Sequence, residues 1–346
     1  MSGNQAVEAP STELSKERSS GNFAMLVRWL IAVAAFVAFG FGVAIVCHRY
    51  HYWAEVVNSF RLQVSLVILM LGLMLWYSKF RAWGLIQVAF ALYLLFPILS
   101  ALRPATQSEP GPRKLNLLSF NVLGSNVEQE ATVEMLENSG ADILVVLEYE
   151  NKWVDSLDSI QNMYAYSILE PRWHGFGLAV YSRYPIEPKV HQLTDRETDN
   201  VFAVAVVDVQ GQKFAICACH FLAPMSASKM RIRNDQIVEA AKIIETIREE
   251  DGLPVILVGD FNCVPWSSYL NEIEDRAGLR DSRQGYLYHG SWPSSNAILS
   301  TPIDNAFVSP EIHIHRRTIL PMTNSDHYPL SLEFSVSESG PASESP

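Results

Sequence analysis

The chain has 346 residues, 49% of them hydrophobic and 18% charged, with a formal charge of −11. That apolar content excludes disorder throughout, and four cysteines are too few for a disulfide framework. The acidic balance argues against a protein that coats nucleic acid by bulk electrostatics. These averages hide two unlike halves.

Residues 1–22 are rich in Ser, Glu and Lys without an apolar period and read as a disordered tail. Three uncharged runs follow at 29–47, 62–78 and 82–102, of 19, 17 and 21 positions. A bilayer-crossing helix needs about 20 apolar residues. Buried helices of a soluble protein would show a polar stripe, and these runs have none. Trp29, Trp53, Trp76, Tyr77 and Trp83 lie near the run ends, where amphipathic rings favour the membrane interface, and Pro97 is placed to kink the third run. His48-Arg49-Tyr50 after the first run is no small-residue cleavage site, so the run reads as an uncleaved anchor. Residues 23–102 are therefore expected to hold the chain in a lipid bilayer through three helices. Basic residues on the two sides nearly balance. The first helix, with Lys16, Arg18 and Arg28 before it against Arg49 after it, directs the amino terminus inward and the carboxy-terminal domain out of the cytoplasm.

Residues 103–114 carry three prolines and read as a linker. The 115–336 stretch has the length of one domain, and 337–346 read as a second disordered tail. Residues 1–102 hold 7 basic and 4 acidic side chains, leaving 19 and 33 for the remainder, so the soluble half is the acidic one. Short apolar runs predict strands at 115–120, 142–147, 177–182, 201–209, 213–220, 254–260, 303–309 and 329–336. Ser125 and Glu128 are spaced as a capping box ahead of a helix reaching Ser139–Gly140. Residues 226–249 predict a long helix with Ile237, Ala241, Ile244 and Ile247 on one face and Gly252 near its stop. The mixture points to sheets flanked by helices.

Polar residues gather where the apolar runs stop: Asn121, Glu148, His220, Asp260 with Asn262, Asp304, and Asp326–His327. Strand ends are where a rigid sheet aims side chains from distant sequence at one point. Singly each has an ordinary explanation, as a turn former, a solvated loop residue or a core histidine. Together they describe a chemistry. Glu148, Asp326 and Asn121 offer hard oxygen ligands that suit Mg²⁺ or Mn²⁺ rather than Zn²⁺. His220 and His327 can donate protons to phosphate oxygens, given acidic partners. Asp260 is suited to orient a water and accept its proton, with the Asn262 amide donating to the developing charge. The set fits hydrolysis of a phosphate ester. Cys217 and Cys219 share a strand face near these residues, but without a fourth ligand they read as small buried thiols. Lys229, Arg231 and Arg233 open the long helix and read as a solvated face.

The strings SFNV, LVVLEY, CACHFLAP, VGDFNCVPWS, PIDNAFVS and NSDHYPL occur in an order that resembles the endonuclease/exonuclease/phosphatase superfamily, over residues 115–336. SRYPI and the Trp-Pro of GSWPSS resemble a membrane-anchored bacterial branch of it. The resemblance implies a four-layer α/β sandwich, two β-sheets packed between helices. It also implies one Mg²⁺ on Glu148, Asp326 and Asn121, with Asp260 activating water, Asn262 and His220 on the phosphate, and Asp304 orienting His327. Leu147, Cys219 and Asn305 depart from residues common in the family, and none removes a catalytic group. The expected activity is that of a membrane-anchored phosphoesterase, whose substrate is left open among nucleic acid, phospholipid headgroup and small phosphodiester. The alternative is a non-catalytic sensor or interaction domain that retains the fold. Nothing in the sequence calls for an obligate protein partner.

Overall fold

The computed structural model describes residues 11–104, 106–193, 199–286, 288–321 and 324–337. These fall into two compact units. Helix α1 (Ser11–Val46) and the stretch Arg61–Phe96 make the first, which holds α3 (Arg61–Trp76) and most of α4 (Arg81–Ser100). Its large side chains face outward: Phe23, Phe36 and Phe96 are each more than 60% exposed. Its polar Gln87 is turned inward instead, where the amide donates to the Ala35 carbonyl at 2.8 Å. That is the inverse of a water-soluble helix pair and the pattern expected in lipid.

Two helices, Asn22–Val46 and Arg81–Ser100, are long and apolar enough to cross a membrane. The expected third span differs. Helix α3 has 16 residues, about 24 Å of rise against the roughly 30 Å of a hydrocarbon core. It reaches spanning length only together with α2 (Tyr52–Ser59), from which it is bent by 75°. The amino-terminal tail is also shorter than expected, because α1 already begins at Ser11; residues 1–10 lie outside the described part.

The second unit joins Cys47–Phe60 to Pro97 and all that follows. Strands β1 (Leu115–Asn121), β2 (Ile143–Leu147), β3 (Tyr166–Glu170), β4 (Leu178–Ser182), β11 (Ile312–Ile319) and β12 (Leu330–Val336) form one sheet in the order β11-β12-β1-β2-β4-β3. Strands β5 (Ile186–Gln192), β6 (Val201–Val209), β7 (Gln212–His220), β8 (Val255–Asp260), β9 (Arg280–Asp281) and β10 (Asp304–Val308) form the other, ordered β5-β6-β7-β8-β10-β9. Both sheets mix parallel and antiparallel pairs. Strands β2, β4, β6, β7, β8 and β10 are buried almost throughout on both faces, which is why they read as continuous apolar runs rather than alternating ones. Leu115, Leu117, Ile143, Val145, Phe214, Ile216, Ile256 and Val258 meet between the sheets. The alternate residues face helices: Leu144 and Val146 pack with Leu136 and Ile160, of α5 (Gln129–Asn138) and α7 (Asp158–Met163). Cys217 and Leu257 pack with Ile237, Ala241 and Ile244 of α8 (Ala227–Glu249). Helix, sheet, sheet, helix is the expected α/β sandwich. Helices α6 (Asn151–Ser156) and α9 (Asn271–Asp275) complete the set.

Every predicted strand is present within a residue or two, and α8 starts where expected, with Ser226 accepting from the Lys229 N–H at 3.2 Å. The capping box does not form. Helix α5 starts at Gln129, and the Asn126 side chain receives the Glu128 N–H. Strands β3, β5 and β11 carried no apolar run. They sit at or near sheet edges, where a face open to water accepts the polar residues of IEPKVHQ and IHIHRRTI. The linker is drawn into the same unit: Gln107 accepts from the Ile314 N–H and Gly111 donates to Ser335.

Helix α2 docks within this unit through buried polar groups. Glu55, 2% exposed, pairs with the wholly buried Arg233 at 3.1 Å and accepts from Ser267 at 2.8 Å. The Trp266 indole donates to the Asn58 carbonyl, and Tyr269 to that of Arg49. Arg233 is thus no solvated residue, as its place beside Lys229 and Arg231 suggested.

Candidate active site

Strand parity builds the site. Residues 115 and 117 of β1, 214 to 218 of β7, 256 and 258 of β8, and 306 and 308 of β10 point between the sheets on alternate positions. One step beyond the last apolar residue on that same face stand His220, Asp260 and, at the start of antiparallel β10, Asp304, while Asn121 follows Leu117 and the buried Ser119 on β1. The register sets them side by side: Asp260 pairs with His220 on one neighbour strand and with Asp304 on the other. The core face of the sandwich therefore ends in a polar floor.

Asp260 is its centre and is 1% exposed. Its Oδ1 accepts the Asn262 N–H at 2.8 Å. Around its Oδ2 lie Asn121 Nδ2 at 3.4 Å, Asn262 Nδ2 at 3.4 Å, His220 Nε2 at 3.5 Å and His327 Nε2 at 3.7 Å. Four nitrogens at long range leave that oxygen without a strong fixed partner. Burial raises the Asp260 carboxyl above the usual range, and Asp304 raises it further against the pull of His327 and His220.

The two histidines are held from behind. His220 Nδ1 meets the Gly175 carbonyl at 2.9 Å; a carbonyl only accepts, so that nitrogen carries a proton and Nε2 faces Asp260. His327 Nδ1 donates to Asp304 Oδ2 at 2.7 Å. Burial would lower the His327 imidazolium, but Asp304 beside it, with Asp260 and Asp326, carries it up to about 10. A cation is thereby kept at neutral pH inside the protein.

Glu148 follows β2 with a left-handed backbone, φ 59°, and Asn262 follows β8 with φ 45°. Such conformations are costly for non-glycine residues and persist where the fold over-determines them. Glu148 Oε1 accepts from Asn121 Nδ2 at 3.0 Å and its Oε2 from the Gly124 N–H at 2.6 Å. Gly259, with φ 148°, lets β8 approach β7: a Cβ there would fall 1.9 Å from the Cys219 carbonyl oxygen. Asp326 Oδ2 accepts from the Trp292 indole at 3.0 Å, while its Oδ1 is shut from solvent without a hydrogen-bond partner. That oxygen lies 4.0 Å from His327 Nε2, and the Asp326, Glu148 and Asn121 side chains are all hard oxygen donors, the type a divalent cation of the Mg²⁺ class requires. Among the described residues, a different set, Asp260, Asp304 and His327, brings three metal-capable ligand atoms within 4.8 Å of one another. Two of its three members are already joined by the 2.7 Å hydrogen bond. Glu148, His220, Asp260, Asn262 and His327 line one open cleft of about 390 Å³, with Lys229 at its side.

The Asn262 amide donates to the Phe221 carbonyl at 2.9 Å and lies 3.4 Å from Asp260 Oδ2, so it also braces the carboxylate. Sequence reading missed the braces generally. Ser325 ties its loop to β1 through the Asn121 carbonyl at 2.7 Å and receives the His327 N–H. Ser291 receives the Asp304 N–H. Ser325 had the one signal of standing beside Asp326, and Ser291, between Gly290 and Trp292, had none. Asn305, a noted departure, is buried in a network with Asp281 and Arg317 rather than in the cleft. Cys217 and Cys219 are buried free thiols packed toward α8.

The family model described as "Endonuclease/Exonuclease/phosphatase family" matches residues 118–327, and the chain belongs to that family. Among solved structures, it is similar to a humanized D. rerio TDP2 carrying 14 mutations, at 17% identity and TM-score 0.54 over 64% of this chain and 99% of that one. It is similar to the human Nocturnin catalytic domain with bound sulfate at 17% identity and TM-score 0.54, over 65% and 94% of the two chains. The mannosyl-6-phosphatase Bt3783 of Bacteroides thetaiotaomicron gives 18% and 0.53, over 64% and 99%. At these identities the likeness shows the shared fold. No curated protein matches the chain.

Proposed function

We propose that the protein is a membrane-anchored, divalent-metal-dependent phosphoesterase that hydrolyses a phosphate ester with an activated water. The carrying observation is the buried Asp260 carboxylate, raised in pKa and ringed by His220, Asn262 and an Asp304-backed His327. Glu148, Asp326 and Asn121 would hold Mg²⁺ or Mn²⁺, whose charge would screen the phosphate and favour its attack. Asp260 takes the proton of the attacking water, and its raised pKa makes it a better base than an exposed carboxylate. The water oxygen forms the new bond to phosphorus as the bond to the ester oxygen breaks. His327, held charged by Asp304, faces the negative charge that grows in the transition state. His220, anchored at Nδ1, presents Nε2 to the same phosphate.

Membrane attachment is supported by the outward apolar faces of α1 and α4. Cys47–Phe60 and Pro97 onward belong to one compact unit, so both lie on one side of any bilayer that α1 crosses. The charges flanking α1 put that side outside the cytoplasm, and an alkaline-phosphatase fusion after residue 336 should then be active. The function is tested with the full chain in nanodiscs, assayed on 4-nitrophenyl phosphate and bis(4-nitrophenyl) phosphate. Turnover of at least one ester should vanish on chelation and return with Mg²⁺ or Mn²⁺. Turnover indifferent to chelator would overturn the metal assignment, and none under any condition would favour a sensor that keeps the fold.

A further inference from the structure

A second pocket opens off the catalytic cleft. Its volume is about 260 Å³ and its walls are Val56, Phe60, Pro224, Met225, Trp292 and Ile303. It shares Asn262, His327 and Ala223 with the cleft, so a group bonded to a phosphate seated at His327 enters it directly. Beyond the Ser59 hydroxyl and the Asn262 and His327 it shares with the cleft, the pocket has little to offer a polar guest. The Trp292 N–H is committed to Asp326, which turns the rest of the indole to the pocket. The Thr301 hydroxyl donates to the Trp292 carbonyl. A nucleobase would leave the donors and acceptors of its edge unpaired there, at a cost that an alkyl chain escapes.

One wall of the pocket is α2 and Phe60, the segment that joins the apolar helices α1 and α3 in the chain. Met225, on the facing loop, is 69% exposed, which leaves an apolar side chain at the pocket's open side. We propose that this pocket binds the hydrocarbon chain of the substrate, so that the substrate class is a lipid phosphoester rather than a nucleic acid or a small polar phosphate. The inference rests on the phosphoesterase reading of the adjoining cleft. Helix α2, part of the catalytic unit, thereby takes a part in specificity: it supplies one side of the site into which the hydrocarbon chain inserts.

The test uses the full chain in nanodiscs and a series of alkyl 4-nitrophenyl phosphates with methyl, butyl and octyl groups. Each methylene that enters the pocket should lower KM about three- to fourfold until the pocket is full, with kcat little changed. Partition into the disc would mimic this, so two variants outside the catalytic machinery discriminate. Val56→Phe fills the pocket from α2, and Met225→Asp, at an exposed position, places a charge at its mouth. Both should abolish the gain with chain length and leave the methyl ester unchanged. A gain kept in both variants, or absent from a wild type that turns over the methyl ester, would overturn the proposal. Calorimetric binding of octylphosphonate against methylphosphonate separates the two readings. A chain inert toward every ester that still prefers the octyl compound, in a Met225-dependent way, would sink the phosphoesterase reading and keep the pocket. Inertness with no preference would sink both.

Discussion

The α3 run VSLVILMLGLML and the β6 run VFAVAVVDV are both almost wholly apolar, yet the two regions handle their apolar surface in opposite ways. Met70, Leu73 and Met74 of α3 are 46–55% exposed, whereas Phe202 to Ala205 of β6 are wholly buried. A sheet with helices or another sheet on both faces removes apolar area from water, at about 25 cal/mol per Å². The helical unit leaves its area outside, which is stable only where the surroundings are themselves apolar. Apolar composition alone therefore says that a segment avoids water; the partner it finds decides what the segment is for. Helix α2 marks the boundary. It lies between the apolar runs in sequence and contributes buried charge to the catalytic unit.

The largest expected effect falls on the buried floor of the catalytic unit. Asp260→Asn removes the base and should lower kcat by about 10³- to 10⁴-fold. The melting temperature should hold or rise, because a carboxylate kept raised in pKa by burial is replaced by a neutral amide of the same size. A steep fall in melting temperature would make Asp260 a structural residue instead.

The contrast between the units is most open to attack at Glu55. Removing one partner of a buried ion pair leaves the other charge stranded, so Glu55→Ala should destabilise the catalytic unit by about 3–5 kcal/mol. The double variant Glu55→Gln/Arg233→Met should recover part of that loss. A fragment of residues 113–346, which lacks α2, should melt lower than one with residues 47–60 fused ahead of it. Equal melting of the two fragments would return α2 to the anchor.

Next comes Asp304→Asn, expected to reduce kcat about ten- to a thousandfold. The sign with pH follows from His327. Its folded pKa lies above the ordinary 6.5, so its ion-pair contribution is complete below about 6.5 and is lost as pH rises through about 10. Without Asp304 the imidazole loses its proton earlier, and the alkaline limb of the pH–rate profile should shift to lower pH. An unmoved limb in a well-folded variant would reduce Asp304 to a turn residue. The smallest effect should come from Lys229 at the cleft side: Lys229→Ala should lower kcat/KM about threefold, and less at high salt.

Much of the catalytic unit was legible in sequence because its signals are local. A run such as PVILVGD announces a buried strand and the point where it stops, and side-chain parity then fixes which face Asp260 shares with Val258. The family strings placed Glu148, His220 and Asp326–His327 in the same way. The edge strands β5 and β11 were not legible, since half-solvated strands look like loops. Arg233 was misread because a charge at helical spacing looks solvated until a partner from a distant segment is known. That the Asn262 amide also reaches the Phe221 carbonyl and the Asp260 carboxylate was not legible either.

Chain order, strand parity and residue chemistry alone determined an apolar amino-terminal third, a sandwich of buried strands and a set of acidic, amide and imidazole groups at the strand ends. Tertiary structure alone decided that the amides of Asn121 and Asn262 and the imidazoles of His220 and His327 converge on Asp260 Oδ2, that Asp304 keeps His327 charged, and that α2 belongs with the catalytic unit. The physical reason is range. Period and propensity act over a few residues, while pairing a buried charge, raising a carboxyl pKa and walling a pocket beside the cleft need groups as distant in the chain as Glu55 and Arg233, or Val56 and Trp292.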